Sequence, residues 1–185
     1  VGAKTKGFTS TMAMLFQLAA WLGNDELDLS QVPGWMEETL RRTEKRMPEL
    51  AREYQTAPSV TILGGGPLSA AAKEGGLKML EGVRIPVEVY DVEEFMHGPY
   101  HCLERESHLI FLVNGGPGTE RSLRLIQFAQ EHSEHVLVIG YEGLEREIEL
   151  TSRFLALPTG MDELLTALFY PIPLQWLAND ATLLK

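Results

Sequence analysis

Two kinds of hydrophobic pattern divide the chain near residue 59. Before it, apolar residues recur every three or four positions, which predicts two helices, Thr5–Trp21 and Pro33–Tyr54. After it, short apolar runs rich in β-branched residues alternate with helical stretches. We therefore expect one domain over residues 1–185, with a helical N-terminal segment (1–58) and an α/β core (59–185).

The second pattern predicts five strands and three further helices. The strands are Val60–Leu63, Val87–Tyr90, Leu109–Val113, Val136–Ile139 and Phe154–Leu157, and the helices are Leu68–Glu81, Glu120–Glu131 and Met161–Ala178. Apolar strands that alternate with helices are typical of a parallel sheet covered on both faces. The predicted fold class is α/β, a three-layer α/β/α sandwich around a mainly parallel sheet of about five strands.

A glycine loop after the first predicted strand is the first candidate for chemistry. It consists of Gly64, Gly65 and Gly66. Ligands of open parallel sheets bind outside the carboxyl ends of the strands, so this loop is a candidate binding element. A dinucleotide fingerprint does not fit, because Ser69 stands at the last glycine position and Pro67 interrupts the turn.

Three charged residues follow on the next predicted helix. Glu74, Lys78 and Glu81 are spaced i, i+4 and i+7, which places their side chains on one stripe. The same spacing is common on solvated helix surfaces, where a Glu–Lys pair is weak. Gly75 and Gly76 lie between them, and each costs about 1 kcal/mol relative to alanine in a helix. We expect another backbone or a ligand to approach closely there.

A loop histidine supplies a second acid–base group. His97 lies in the segment Phe95-Met96-His97-Gly98-Pro99, after the second predicted strand. A carboxylate and an imidazole near one glycine-lined strand end could transfer protons on a small polar substrate.

The remaining histidines and the cysteine give weaker signals. His101, His108, His132 and His135 lack ligand-like spacing with carboxylates or cysteine, so we expect no metal site and no cofactor. Cys102 is the only cysteine, which rules out an internal disulfide, and such a residue is more often a small buried hydrophobe than a nucleophile.

Charge and hydropathy narrow the classes of partner. A net charge of −10 argues against nucleic-acid binding, which needs clustered Lys and Arg. No run of 18 apolar residues is present, so we expect no membrane span and a cytoplasmic location. The chain begins at Val1 and ends at Lys185 without a helix stop signal, and we expect it to be part of a longer protein.

Three segments together resemble the second half of sugar isomerase (SIS) domain proteins. They are Val1-Gly-Ala-Lys-Thr-Lys-Gly-Phe-Thr before an apolar helix, Glu74-Gly-Gly-Leu-Lys78-Met-Leu-Glu81, and Glu94-Phe-Met-His97-Gly98-Pro99. Their order and spacing agree with the family and cover most of the chain. The resemblance implies that this is the C-terminal SIS half of a two-SIS chain. It also implies that the main phosphate-binding loop lies in the other half, since Asn114–Thr119 is poor in hydroxyl groups.

The resemblance also assigns roles to residues. Glu81 matches the carboxylate that moves a proton between C1 and C2 of an open sugar, and His97 the imidazole that assists ring opening, often in a neighbouring subunit. Glu74 and Lys78 match polar residues beside the base, and with the glycine loop they are the expected substrate-binding groups. In a dry cleft, burial would raise the pKa of Glu81 whereas Lys78 would lower it, and both outcomes stay open.

The function expected from the resemblance is C1/C2 proton transfer on an aminosugar or ketosamine 6-phosphate. The outcome of the reaction is isomerisation, deamination or deglycation. The alternative is a non-catalytic SIS domain that senses a sugar phosphate in a regulator.

Apolar residues near both ends predict self-association. Met14, Phe16 and Trp21 near the N-terminus, and Phe169, Leu174 and Trp176 near the C-terminus, place apolar area on edge helices. Large exposed apolar patches are uncommon on soluble monomers, so we expect the missing half or a second copy to cover this area, with a homodimer or a larger homo-oligomer as the default.

Overall fold

The architecture follows from a computed structural model that describes residues 5–147, 149 and 153–185. The helices are α1 Lys6–Gly23, α2 Val32–Glu44, α3 Met47–Tyr54, α4 Leu68–Lys78, α5 Val92–Met96, α6 Thr119–His132 and α7 Pro171–Leu183. The strands are β1 Val60–Leu63, β2 Val87–Tyr90, β3 His108–Val113, β4 His135–Tyr141 and β5 Arg153–Leu157. Short 3₁₀ turns cover Pro99–Cys102, Leu144–Arg146 and Glu163–Leu168.

One five-stranded sheet carries the fold. Its order is β2-β1-β3-β4-β5, and every neighbouring pair is parallel. The chain therefore moves outward from β1 to β2 and then crosses to the other side of β1 to form β3. The predicted α/β class and the five strands are confirmed, although β3, β4 and β5 each begin one residue earlier than expected.

Helices cover both faces of the sheet. One face packs against α3, α4 and α7, and the core there includes Ile62, Ile110 and Leu174. The other face packs against α5 and α6, around Phe95 and Phe111. These layers form the predicted sandwich.

The N-terminal helices add a smaller apolar cluster beside the first face. Phe16 of α1 and Trp35 of α2 pack against Leu165 and Leu168 of the last 3₁₀ turn. Among the described residues, no helix combines the length and apolar character needed to cross a membrane.

Two predicted helices are wrong in extent because proline interrupts them. The segment Pro33–Tyr54 forms α2 and α3, and Pro48 occupies the first turn of α3. Proline has no N–H to continue the hydrogen bonds of α2, but it fits the first turn of a new helix. In the segment Met161–Ala178, a 3₁₀ turn comes first, and α7 starts at Pro171.

The third long helix changes its winding before it ends. The α-helical hydrogen bonds of α4 stop at Lys78, and a π turn covers Met79–Val83, which includes Glu81. Arg84 then ends the helix in the left-handed region, with φ 61°. Single π turns inside helices are frequent at functional sites.

The two glycines of α4 leave space that side chains of neighbouring elements fill. The expectation that another backbone or a ligand approaches them is therefore wrong. A Cβ at Gly75 would lie 2.7 Å from Leu174 Cβ, and one at Gly76 would lie 2.8 Å from Val89 Cγ2. These positions let α4 pack closely against α7 on one side and β2 on the other.

The expected exposure of the C-terminal helix is wrong. Phe169 and Leu174 are fully buried in the core of the first face, and Trp176 is half-buried against it. At the other end of the chain, Met14 and Trp21 are exposed as expected, while Phe16 is half-buried.

Candidate functional site

A buried lysine joins two carboxylates at the end of α4. Lys78 Nζ lies 2.7 Å from Glu81 Oε2 and 3.8 Å from Glu74 Oε1. The side chains of Lys78 and Glu74 are each 6% exposed, so the solvated-surface interpretation of this stripe is wrong. The side chain of Glu81 is 45% exposed, so in this chain its carboxylate contacts solvent on one side and the lysine on the other.

Glu74 has a second partner from a distant part of the chain. The Gln175 side-chain amide on α7 donates a hydrogen bond to Glu74 Oε1 at 3.1 Å. Burial raises the pKa of the Glu74 carboxyl above its ordinary value, and the hydrogen bond from Gln175 and the charge of Lys78 partly offset this. Glu74 thus accepts a hydrogen bond from Gln175 and forms a longer ion pair with Lys78, whereas Glu81 accepts the hydrogen bond of Lys78 and is partly exposed.

A cavity of about 590 Å³ adjoins this group and opens between α1, α2 and α7. Gln175 belongs both to the cavity lining and to the hydrogen-bonded group around Glu74. Polar groups from the start of α1 line the opposite wall, namely Thr5, Lys6, Thr9 and Ser10. Apolar side chains form much of the remaining lining, namely Met36, Leu40, Ile172 and Trp176, so the cavity combines polar donors with apolar walls.

The glycine loop borders a different cavity, of about 330 Å³, at the carboxyl ends of β1 and β3. Gly66 has φ +55°, and the Glu163 carboxylate, which lines this cavity, packs on Gly116. Between Leu68 and Glu81 the helical turns rise by roughly 20 Å, at about 1.5 Å per residue. The structure thus places the loop and Glu81 at opposite ends of the same helix rather than around one strand end.

His97 lies across the sheet from Glu81. It follows α5 directly, and Phe95 of that helix packs in the core of the second face with α6. Met79 and Val83, which flank Glu81, pack in the core of the first face. The sheet separates the two proposed catalytic residues within one copy of the chain, and His97 is exposed.

Two side chains have surroundings that the sequence did not predict. Gln175 is a contact of Glu74 that no spacing in the sequence could reveal, because the two are 101 positions apart. Cys102 is exposed rather than buried, next to the His97 segment.

The profile of the SIS domain matches residues 53–185, which is most of the chain. The chain belongs to the SIS domain family. This match includes all five strands, the glycine loop, the Glu74–Glu81 stripe and His97.

Relatives with close overall similarity share one name. The isomerizing glutamine–fructose-6-phosphate aminotransferase of Thermus thermophilus is 29% identical over 196 residues, which cover 98% of this chain and 32% of that protein. The enzyme of the same name from Methanothermobacter thermautotrophicus is 28% identical, and the match covers 95% of this chain and 30% of that protein. The chain thus spans about a third of these relatives.

A solved structure shows the same fold over nearly the whole chain. The C-terminal domain of glucosamine-fructose-6-phosphate aminotransferase from Francisella tularensis superposes with a TM-score of 0.87 at 22% identity. The match covers 99% of this chain and 54% of that domain.

Proposed function

We propose that this SIS domain supplies the proton-transfer residues of an enzyme that acts on an aminosugar or ketosamine 6-phosphate. In this proposal Glu81 is the base, Lys78 and Glu74 orient it, and the reaction passes through an enediol or enolamine. Isomerisation, deamination and deglycation share this step. The relatives' names, which join fructose 6-phosphate to an amino-group transfer and an isomerisation, favour an aminosugar product.

The observation that carries the proposal is the buried Glu74–Lys78–Glu81 arrangement. A buried ammonium held by Glu74 fixes one oxygen of Glu81 and leaves the rest of that carboxylate facing outward. A base that abstracts a proton from carbon needs such an oriented carboxylate beside a space for the substrate.

The proposed step is balanced as a proton shuttle. Glu81 removes the proton from C2 of an open-chain aldose or 2-amino aldose, and the electron pair forms the C1–C2 double bond while O1 gains a proton. The protonated Glu81 then returns its proton to C1, and the hydroxyl or amino group on C2 loses a proton to give the ketose or its C2 imine. The reverse sequence, with proton loss at C1 and return at C2, converts the C2 imine of a ketose into the aminosugar. No oxidant or reductant is consumed.

His97 fits this scheme only between copies of the chain. Because the sheet separates it from Glu81, His97 would assist ring opening in the site of a neighbouring subunit. The role requires an exposed imidazole, and His97 is exposed. An assembly of at least two copies is therefore part of the proposal.

An apolar stripe on α1 supports assembly through that region. The exposed side chains Met14, Leu15, Leu18, Trp21 and Leu22, here called the α1 stripe, lie on the face of α1 opposite its packed residues. Trp21 is 75% exposed. Such a stripe is typical of a surface that another helix covers. We propose that the protein is a homodimer in the cytoplasm and that it does not bind nucleic acid.

A substrate panel with the full-length protein tests the function. Glucosamine 6-phosphate, fructose 6-phosphate with an ammonia donor, and fructosamine 6-phosphates would be incubated in deuterated water and followed by NMR. Exchange of the C1 or C2 proton with solvent, lost in Glu81→Gln, is the expected result. Saturable binding of these compounds without exchange in wild-type protein would instead support the sugar-phosphate sensor.

A further inference from the structure

Three ligand-type side chains converge at the amino-terminal edge of the sheet. His108 and His135 are the first residues of β3 and β4 and face each other in the parallel register. Their rings stack with centroids 4.1 Å apart and planes 2° apart. Glu53 of α3 completes the group, with Oε1 2.6 Å from His135 Nδ1.

One ligand atom from each residue lies within 4.8 Å of the other two. Zinc binds imidazole nitrogen and carboxylate oxygen at about 2.0–2.2 Å, so two ligands of one ion are at most about 4.4 Å apart. For all three donors to reach one ion, the stacked rings would have to turn until their planes meet at the ion, and the 2.6 Å contact between His135 Nδ1 and Glu53 Oε1 would have to open.

A backbone hydrogen bond fixes which nitrogen of His108 can bind a metal ion. Its Nδ1 lies 2.9 Å from the carbonyl oxygen of Glu106, an acceptor only, so Nδ1 carries the proton and donates it. The lone pair is then on Nε2. A histidine ligand held through its second nitrogen by a backbone carbonyl is typical of metal centres.

The charge balance around Glu53 admits a cation but also limits its affinity. Arg153 NH2 lies 2.8 Å from Glu53 Oε2, on the other carboxylate oxygen from the one that contacts His135. Oε1 therefore remains directed at the His135 imidazole. The positive charge of Arg153 would weaken the binding of a divalent ion, so removal of that charge should strengthen it.

We propose that Glu53, His108 and His135 bind a divalent transition-metal ion of the zinc class at the amino-terminal edge of the sheet. Two imidazoles and one carboxylate are ligands that suit zinc, and they leave a fourth position for water on the side where His135 is partly exposed. Sequence spacing alone could not suggest the site, because register across the sheet, not distance along the chain, brings the histidines together. It does not rest on the proposed function.

The ion would connect three separate elements. It would join α3 to the starts of β3 and β4, on the side of the sheet away from the glycine loop. An ion that binds the folded state but not the unfolded state raises the melting temperature with its concentration.

Metal titration of the purified, tag-free and chelator-treated chain tests the proposal. Calorimetry with Zn²⁺ and visible absorption with Co²⁺ should each show one ion per chain. His135→Gln and Glu53→Gln should weaken binding by at least about tenfold, the loss seen even for residues that only support a metal ligand. Both variants are checked by circular dichroism.

Two further variants keep the proposal falsifiable if His135→Gln and Glu53→Gln do not fold. His132→Gln changes an exposed histidine that stacks on Phe128, and it should leave affinity unchanged. Arg153→Gln keeps all three ligands and should raise affinity several-fold. Absence of a stoichiometric site in wild type, equal affinity in His135→Gln, a loss in His132→Gln, or weaker binding in a folded Arg153→Gln would each overturn the assignment.

Discussion

The Leu174 side chain occupies the space that any side chain at Gly75 would need. A Cβ added there would lie 2.7 Å from Leu174 Cβ, and both positions are buried. Gly75→Ala should destabilise the fold by about 1–3 kcal/mol, the cost typical of overpacking, because neither α4 nor α7 can move without disturbing the core. Urea denaturation measures the change.

Gly34→Ala is the matched control for that variant. Gly34 lies in α2, and a Cβ at this position would meet no atom within 4 Å. Alanine should therefore stabilise the chain by about 0.5–1 kcal/mol through helix propensity. Equal effects of the two substitutions would contradict close packing of α4 on α7.

Replacement of Glu81 should separate catalysis from folding. Glu81→Gln keeps the volume of the side chain but removes the basic carboxylate, so turnover by the full-length protein should fall by at least about a hundredfold. Because Glu81 is 45% exposed, the melting temperature should change little. Wild-type rates on every sugar phosphate tried would refute its role as the base.

Mixed subunits test the separation of Glu81 and His97 by the sheet. Glu81→Gln and His97→Asn proteins are each expected to be impaired on closed-ring substrates. Unfolded together and refolded, they should regain activity, because some hybrids contain one site with an intact pair. The same treatment of Glu81→Gln alone is the control. Failure of the mixture to gain activity, with hybrids demonstrated by mass spectrometry, would show that the two residues do not act together across subunits.

Removal of the Lys78 charge should expose the cost of burying Glu74. Lys78→Met retains the aliphatic stem but leaves the Glu74 carboxylate with Gln175, and should cost roughly 1–3 kcal/mol near pH 7.

The pH dependence of this loss has a definite sign. Burial already raises the pKa of Glu74 above its ordinary value of 4.5, and loss of Lys78 raises it further. Stability associated with the neutral carboxyl is fully present below the unfolded pKa and is lost as pH rises through the folded pKa. The deficit of Lys78→Met should therefore shrink below pH 4.5 and grow above it. In the double variant with Glu74→Gln, this pH dependence should disappear.

The α1 stripe should determine self-association. Trp21→Glu places a charge at the most exposed residue of the stripe and should shift the assembly toward monomer, as measured by light scattering across a wide concentration range. Leu183→Glu alters a comparably exposed residue at the end of α7, outside the stripe, and should leave the mass unchanged. A strictly monomeric wild type would defeat the prediction.

The sheet could be predicted from sequence because its strands are short, apolar and separated by helical stretches. Val60–Leu63 and Val87–Tyr90 match the structure to the residue. The limits of the helices were harder to predict where proline starts a new helix, as at Pro48 and Pro171. The burial of Phe169 and Leu174 depends on packing against α4, which no local pattern reports.

The site was predictable only where its residues share one helix. The spacing of Glu74, Lys78 and Glu81 anticipated their contact, whereas the hydrogen bond from Gln175 depends on how α7 crosses α4. The π turn at Glu81 contains Gly82, a poor helix former, which lies close to Thr182 of α7, and the sequence does not report this contact. His108 and His135 meet because two parallel strands begin side by side.

Because of the π turn over Met79–Val83, the direction of the Glu81 side chain can change while the packing of α4 stays the same. A wider turn holds one residue more than an α turn, so it is equivalent to a single inserted residue that the helix absorbs without breaking. Deletion of one residue before Glu81 in this turn would restore regular winding and rotate the carboxylate by about 100°, while the Gly75–Leu174 contact upstream stayed in register. The buried residue Val83 would rotate with it, so the core after the turn would have to repack. A single-residue length change at this turn is therefore a route by which related domains could gain or lose a base and keep the core contacts upstream of it.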